Sequence, residues 1–232
     1  KTDDVAYYTD LKEKVKEAFN KEFFDPQTAQ YGTGSQASYA MPLYAGLVDP
    51  QYKQAVLANL VKDIEKHDYK LTTGDVGNRY LFQVLAENGL NEIMYKMHNH
   101  KEVPGYGFQV QFGATTLTEQ WDPRKGNSWN HFMMGQIEEW FYKSLAGITV
   151  DKDDYSGFQN IIIAPQAVGD LNFVEASYTT LHGTIEVNWK IKNNIFTVNV
   201  AIPTNCSAKI YLPKERTYKK VGSGKYSFSK TL

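Results

Sequence analysis

The segment GATTLTEQWDP, from Gly113 to Pro123, places a single carboxylate among hydroxyl-bearing side chains and just before a tryptophan. That carboxylate belongs to Glu119, and the segment follows neither a helical period nor a clean strand alternation. A glutamate that activates water must be held near the reacting carbon and kept ionised by neighbouring donors. Threonine hydroxyls and backbone amides can do both. Spacing alone also allows a solvated loop charge, the commoner fate of a glutamate.

Three histidines are further candidates for a functional role. His131 follows Glu119 by twelve residues, at the predicted first turn of a helix that Ser128 would cap. It could be a capping or core histidine, or it could donate a hydrogen bond to a substrate hydroxyl beside the carboxylate. His98 and His100 resemble a metal pair, but this spacing points them to different sides of a helix, and no third ligand lies close in sequence. We therefore predict no metal site and no cofactor.

Asp75 and Tyr106 have two explanations each. Asp75 opens a predicted helix in GDVGNRYL, where it can complement the positive end of the helix dipole or line a binding cleft. Tyr106 lies between two glycines in PGYGFQV, which leaves room for a sugar to stack on its ring, although the ring can equally pack within a loop. Trp121 and Trp129 are further aromatic side chains able to stack on a sugar.

Composition narrows the class of protein. The 232 residues are 42% hydrophobic and 14% aromatic, which suits a globular core. The 25 basic residues nearly balance the 26 acidic ones, so no nucleic-acid partner or membrane surface is expected, and no apolar run approaches the ~18 residues of a membrane span. The lone Cys206 rules out an intrachain disulfide and a cysteine zinc cluster. The polar start at Lys1 is not a signal peptide, and suggests a processed or truncated chain.

The chain changes character near residue 147. Six helical segments precede this point, and the second contains Pro42, which would kink it, after a potential cap at Ser35. Alternating strand-length segments follow, and KNN after Ile191 predicts a hairpin turn. The boundary is predicted within residues 148–160, and antiparallel strands at this spacing favour a small β-sandwich. The predicted helices cover residues 5–23, 34–50, 50–67, 75–89, 90–99 and 128–147, and the strand segments cover 160–165, 171–181, 183–191, 195–203, 208–213 and 226–232.

The segment PGYGFQVQFGATTLTEQWDPRKGNSWNHFMMGQIEEWFYKSLAGI closely resembles the late catalytic-domain segment of α-L-rhamnosidases of glycoside hydrolase family 78. GSQASYAMPLYAGLVD and LTTGDVGNRYLFQVLAENG are also similar to that family, and HGTIEVNWKIKNNIFTVNVAIPTNCSAKIYLP resembles its C-terminal β-domain. The resemblance covers nearly the whole chain. It implies an α-helical part of an (α/α)6 barrel at residues 1–150 and a small antiparallel β-sandwich at residues 151–232.

The resemblance also implies roles for individual residues. The glutamate after Ala-Thr-Thr is the family's general base, which is Glu119 here, and the following Asn-His places a substrate-hydroxyl contact at His131. The aromatic residue between two glycines, often tryptophan in the family, is Tyr106. Thr118 stands where the family often has tryptophan, so aromatic packing around the base differs in this chain. The predicted substrate-binding residues are His131, Tyr106, Trp121 and Asp75.

The family is inverting, which requires a protonated acid opposite the base. The family's acid comes from an upstream motif not found here, so we expect a chain that carries the base, depends on the upstream remainder of the same polypeptide and is inactive alone. The expected substrate is a rhamnoside, and exposed half-barrel faces favour homo-oligomers. A periplasmic or extracellular location is implied, although the family includes cytosolic members. The alternatives are a hydrolase of another α-linked sugar, a non-catalytic carbohydrate-binding module and a helical scaffold.

Overall fold

The computed structural model describes residues 2–102, 104–151, 154 and 156–232. It contains two compact units, residues 1–135 and 136–232, the first mainly helical and the second mainly strands. This combination of a helical part with antiparallel sheets confirms the predicted fold class. The predicted boundary region, 148–160, includes Lys152, Asp153 and Tyr155, which lie outside the described residues. Within the described residues, no helix is both long and apolar enough to cross a bilayer.

The first unit contains six helices, one short hairpin and two 3₁₀ turns among its described residues. The first five predicted helices are confirmed, whereas the hairpin and a short helix that begins at Tyr106 were not predicted. The elements are α1 (Thr2–Phe23), β1 (Phe24–Asp25), β2 (Gln30–Tyr31), α2 (Gln36–Tyr44), a 3₁₀ turn (Pro50–Tyr52), α3 (Lys53–Lys66), α4 (Asp75–Glu87), α5 (Asn91–His98), α6 (Tyr106–Val110) and a 3₁₀ turn (Phe132–Gln136) that leads into the second unit.

Local sequence explains where α2 begins and how α4 packs. Ser35 caps α2 as predicted: its hydroxyl accepts the Ser38 N–H, and the Ser38 hydroxyl accepts the Ser35 N–H in return. Pro42 lies inside α2 without ending it before Tyr44. In α4, residues at three- and four-residue spacing form the buried stripe that faces its neighbours. These are Asn78, Leu81, Phe82 and Leu85. Helix α2 packs against both α3 and α4.

The sixth predicted helix begins later than expected and is irregular. Residues 129 and 130 form a bend, and helical structure starts only at Phe132. The reason is that the Ser128 carbonyl accepts the Glu119 N–H across the loop instead of serving a helical turn. The structure then passes through α7 (Ile137–Trp140) and a π-turn (Phe141–Leu145). The prediction that Ser128 caps a helix is therefore wrong.

The second unit is built from two four-stranded sheets that share one hydrophobic core. Trp189 and Phe196 of one sheet lie in the same buried cluster as Ile161 and Ile210 of the other. The predicted turn is confirmed at Asn193–Asn194, where both residues have positive φ, as a two-residue hairpin turn requires. One pairing, between residues 160–163 and residues 207–210, is parallel. The sheets are β10–β7–β6–β5 and β3–β4–β8–β9, from β3 (Ile148–Val150), β4 (Asn160–Ile163), β5 (Phe173–Thr180), β6 (Gly183–Lys192), β7 (Ile195–Ile202), β8 (Ser207–Ile210), β9 (Lys219–Val221) and β10 (Gly224–Thr231).

Candidate active site

A closed loop between α6 and the 3₁₀ turn at residue 132 carries the predicted general base. Two backbone hydrogen bonds close it: the Glu119 N–H donates to the Ser128 carbonyl at 3.0 Å, and the His131 N–H donates to the Leu117 carbonyl at 2.8 Å. The Thr116 hydroxyl also donates to the Trp129 carbonyl. Residues 116–119 therefore run beside residues 128–131. The pairing places Glu119 and His131, which are twelve residues apart in sequence, on adjacent backbone segments.

The Glu119 side chain is exposed. Its backbone N–H is bound to Ser128, so the main chain at this residue is fixed while the carboxylate faces open space. Exposure leaves the carboxylate accessible to water, which a general base that activates water requires. The structure thus presents Glu119 in a form compatible with the predicted role, which stays a prediction.

His131 is held through both ring nitrogens. Its Nε2 lies 3.3 Å from Asp75 Oδ2, and its Nδ1 lies 3.1 Å from the Ser128 hydroxyl. Asp75 is the first residue of α4, where Oδ1 accepts the Val76 N–H at 2.9 Å. Asp75 therefore accepts a hydrogen bond from the first turn of α4 with one carboxylate oxygen and contacts His131 with the other. The structure supports the helix-terminus alternative for Asp75 and adds the contact with His131, whereas its predicted place in a binding cleft stays a prediction.

The aromatic residues Tyr106 and Trp121 meet edge to face, with ring centroids 5.0 Å apart. Tyr106 is only 7% exposed, and its hydroxyl donates to the Met134 carbonyl. Burial raises the pKa of this phenol well above its usual range. The partly buried Trp121 donates from Nε1 to the Thr73 carbonyl at 3.3 Å. The structure favours the packing alternative for Tyr106, and its predicted contact with substrate stays a prediction.

Trp129, unlike Tyr106, has an exposed aromatic ring. It is 63% exposed and lies two residues before His131, on the segment paired with the Glu119 strand of the loop. An exposed indole ring is able to stack on the apolar face of a sugar. Trp121 is anchored by its hydrogen bond to the Thr73 carbonyl, and its predicted contact with substrate stays a prediction.

An ion pair between Arg124 and Asp122 stabilises the loop that carries Glu119. Arg124 binds Asp122 in a two-pronged arrangement, with Nε 2.8 Å from Oδ1 and Nη2 2.9 Å from Oδ2. These hydrogen bonds hold the pKa of Asp122 at about 2, below its usual value. The Arg124 guanidinium also lies 4.5 Å from the centroid of the Phe112 ring.

The remaining candidates do not join the site. The His98 ring packs edge-on against Phe82 at 4.7 Å, and burial lowers its pKa to about 3. His100 Nδ1 accepts the Glu102 N–H. Cys206 lies buried in the β-sandwich core, where burial raises the pKa of its thiol. In the described part of the chain, no three or more His, Cys, Asp and Glu side chains group so that they could hold a metal ion.

Two family models match the chain in succession. The bacterial alpha-L-rhamnosidase 6 hairpin glycosidase domain matches residues 1–145, and the bacterial alpha-L-rhamnosidase C-terminal domain matches residues 147–227. Among curated proteins, an alpha-L-rhamnosidase of Streptomyces avermitilis is 29% identical over 221 residues, covering 91% of this chain and 21% of the relative. An alpha-L-rhamnosidase of Formosa agariphila is 31% identical over 226 residues, covering 94% and 24%.

Solved structures match equally far along the chain. The alpha-L-rhamnosidase from Dictyoglumus thermophilum has a TM-score of 0.88 at 36% identity, and the match covers 97% of this chain and 28% of that one. The Streptomyces avermitilis alpha-L-rhamnosidase complexed with L-rhamnose has a TM-score of 0.89 at 26% identity, with 97% and 24% covered. The chain thus spans about a quarter of the length of the relatives it matches.

Proposed function

Because the chain belongs to the bacterial α-L-rhamnosidase 6-hairpin glycosidase family, we propose that it supplies the water-activating side of an inverting α-L-rhamnoside hydrolase. The observation that carries the proposal is the closed loop, whose two backbone hydrogen bonds place Glu119 and His131 on adjacent backbone segments. The substrate class is supported by the L-rhamnose bound to the similar Streptomyces avermitilis enzyme.

In this proposal the Glu119 carboxylate removes a proton from a water molecule as its oxygen attacks the anomeric carbon. The bond from that carbon to the leaving oxygen breaks, and a general acid donates a proton to the departing group. An inverting enzyme needs this acid about 6.5–9.5 Å from the base, so that the water fits between them. We place the acid in polypeptide outside these 232 residues, because the family's acid motif is not found among them.

The Asp75–His131 pair binds a sugar hydroxyl in this proposal. The separation of 3.3 Å between His131 Nε2 and Asp75 Oδ2 is at the long end for a hydrogen bond. A sugar hydroxyl can replace that weak contact, because it accepts from the imidazole N–H and donates to the carboxylate. Trp129, with its exposed ring, stacks on the apolar face of the sugar.

The test uses the polypeptide encoded by the complete gene with 4-nitrophenyl α-L-rhamnoside. Glu119→Gln is expected to lower kcat by ~10²–10⁴-fold with little change in KM, since the amide cannot accept the proton. Glu65→Gln, at an exposed position on α3, is the control and should retain native kcat. Proton NMR should detect β-L-rhamnose as the first product. Native kcat in Glu119→Gln, or α-L-rhamnose as the first product, would contradict the mechanism.

A panel of other 4-nitrophenyl α-glycosides separates rhamnose from related sugars. A non-catalytic binding module is a distinct alternative, and it predicts that Glu119→Gln leaves sugar affinity nearly intact while neither variant hydrolyses any glycoside. The 232-residue chain by itself is expected to show no turnover, because it would lack both the acid and the rest of the sugar pocket.

A further inference from the structure

Gln109 is a buried polar residue on α6 whose side chain reaches into the loop that carries Glu119. Its side chain and backbone together are only 2% exposed. A carboxamide buried this far costs free energy unless hydrogen bonds replace those it made with water. The hydrogen-bond partners of the Gln109 side chain therefore indicate its role.

Its amide nitrogen binds the residues on either side of Glu119. Nε2 donates to the Thr118 carbonyl at 3.2 Å and to the Gln120 carbonyl at 3.1 Å. The Thr118 hydroxyl also donates to the Gln120 carbonyl, at 2.7 Å. With the Glu119 N–H bound to Ser128, the main chain is tied before, at and after the predicted base.

The orientation of this carboxamide follows from its surroundings. A rotated amide would aim Oε1 at two carbonyl oxygens, which repel it, so the nitrogen must face the loop. Among the described residues Oε1 has no hydrogen-bond partner. The side chain thus accepts an unfavourable burial of its oxygen while its nitrogen holds the two carbonyls.

Helix α6, which carries Gln109, is itself held in a fixed position. The Tyr106 hydroxyl ties its first residue to the Met134 carbonyl. Gly107 lies so close to the preceding segment that an added Cβ would sit 2.5 Å from the His100 carbonyl oxygen. The helix is therefore pressed against residues 98–100, and the amide of Gln109 cannot drift away from the loop.

The exposed carboxylate of Glu119 needs such support. No hydrogen bond or ion pair to its carboxylate is present within the described residues. Its direction is then set by the backbone that carries it. An error of about 1 Å in the position of a reacting group can cost ~10²-fold in rate. A loosely held backbone at Glu119 would therefore lower the rate of hydrolysis.

We propose that Gln109 is a positioning residue for Glu119, acting through the two carbonyls that flank it. The proposal rests on the proposed function, since it assumes that Glu119 is the base. The first test compares Gln109→Met with the native enzyme, in the polypeptide encoded by the complete gene. Methionine keeps the length of the side chain and lacks the donor. We expect kcat for 4-nitrophenyl α-L-rhamnoside to fall about 10- to 100-fold, with KM changed less than about twofold.

Gln111 provides a matched control on the same stretch of chain. Its amide donates to the Lys101 carbonyl at 2.7 Å and to Gly107, and does not reach the Glu119 loop. Gln111→Met should therefore retain native kcat. Native kcat in Gln109→Met, or an equal loss in both variants, would overturn the proposal.

A second test separates positioning of the base from general damage. Glu119→Ala is assayed with sodium azide, which attacks the anomeric carbon without giving up a proton and so needs no base. In that background, adding Gln109→Met should lower turnover less than about twofold. Should azide not accelerate Glu119→Ala, its residual turnover with water serves as the reference. The same large loss in both backgrounds would assign Gln109 a purely structural role and overturn the proposal.

Thr118→Val keeps the test decisive if Gln109→Met folds poorly. Valine has the shape of threonine but cannot donate to Gln120, so kcat should fall in the same direction and by less; an unchanged kcat would count against backbone positioning. Failure of the proposed function looks different: Glu119→Ala would then keep native turnover without azide, whatever residue occupies position 109.

Discussion

Asp75 and His131 are 56 residues apart in the chain, yet His131 Nε2 donates a hydrogen bond to Asp75 Oδ2 at 3.3 Å. Ser128 binds the other ring nitrogen at 3.1 Å. The ring is therefore oriented from both sides, by the first residue of α4 and by the loop that carries Glu119. The contact ties the predicted base loop to the helical scaffold.

Replacing Asp75 with asparagine should weaken substrate binding. Asp75 accepts the Val76 N–H through Oδ1 and the His131 N–H through Oδ2, and an asparagine has one oxygen for these two donors. His131 must then reorient, so KM for the aryl rhamnoside should rise about tenfold with a smaller change in kcat. Steady-state kinetics on the complete polypeptide measure this. Glu87→Gln, at the exposed end of α4, is the control, and an unchanged KM in Asp75→Asn would refute the pairing role.

Asp122 should make stability depend on pH in the acid range. Hydrogen bonds from Arg124 hold its pKa at about 2 in the folded state, below its ordinary value of 3.8. A lowered folded pKa contributes stability above the unfolded pKa, and this contribution is lost as pH falls from about 4 to about 2. The Tm of Asp122→Asn should therefore lie below native at pH 7 and converge with it near pH 2.

The control for this titration is Lys125→Gln. Lys125 Nζ lies 3.7 Å from Asp122 Oδ2, but the lysine side chain is 78% exposed, and such surface pairs contribute little. Its Tm should follow the native curve at every pH. A difference in Tm between the native protein and Asp122→Asn that stays constant from pH 7 to pH 2 would show that titration of Asp122 does not affect stability.

Gly147 should tolerate no side chain. Its φ is +76°, and an added Cβ would lie 2.3 Å from the backbone carbon of Ala164. Gly147→Ala should lower the free energy of unfolding by about 3 kcal/mol or more, measured by urea denaturation. Gly157 is the matched control, with φ +65° and no atom within 4 Å of the added Cβ. Gly157→Ala should cost only about 1–2 kcal/mol of backbone strain; equal losses would disprove the steric argument.

The 232-residue chain should self-associate through α1. This helix has no buried residue, and Val5, Tyr8, Leu11 and Val15 recur on one side of it with exposures from 40% to 66%. Analytical ultracentrifugation should detect oligomers that dissociate when Val5, Leu11 and Val15 are changed to serine. Serine substitutions at Lys12 and Glu17 serve as the control and should leave association intact. A native chain that sediments as a monomer would contradict the prediction.

Features that depend on neighbours in sequence were predicted correctly. The Ser35 cap needs only Ser38, three residues on, and the turn at Asn193–Asn194 needs only residues that accept positive φ. Strand β6 alternates because its successive side chains point to opposite faces, so Ile185 and Val187 are buried while Glu186 is exposed. The family resemblance extended these local signals to the fold class.

The start of the sixth helix could not be predicted in the same way. The pattern after Ser128 suits a helix, but the Ser128 carbonyl is occupied by the Glu119 N–H, nine residues earlier. Helix α6 was missed because it has only five residues and is held by the Tyr106 hydroxyl on Met134, 28 residues away. In both places a contact between separate segments outweighs local propensity.

By itself the sequence determined which residues were chemically able to act: a glutamate among threonines, a histidine twelve residues later, and an aspartate at the start of a helix. Only the tertiary structure decided how they are arranged. It joined Asp75 to His131, buried Tyr106 as support for Trp121, and placed the Gln109 amide across the two carbonyls that flank Glu119. The physical reason is that hydrogen bonds and side-chain packing act over a few ångströms in space, whatever the distance along the chain.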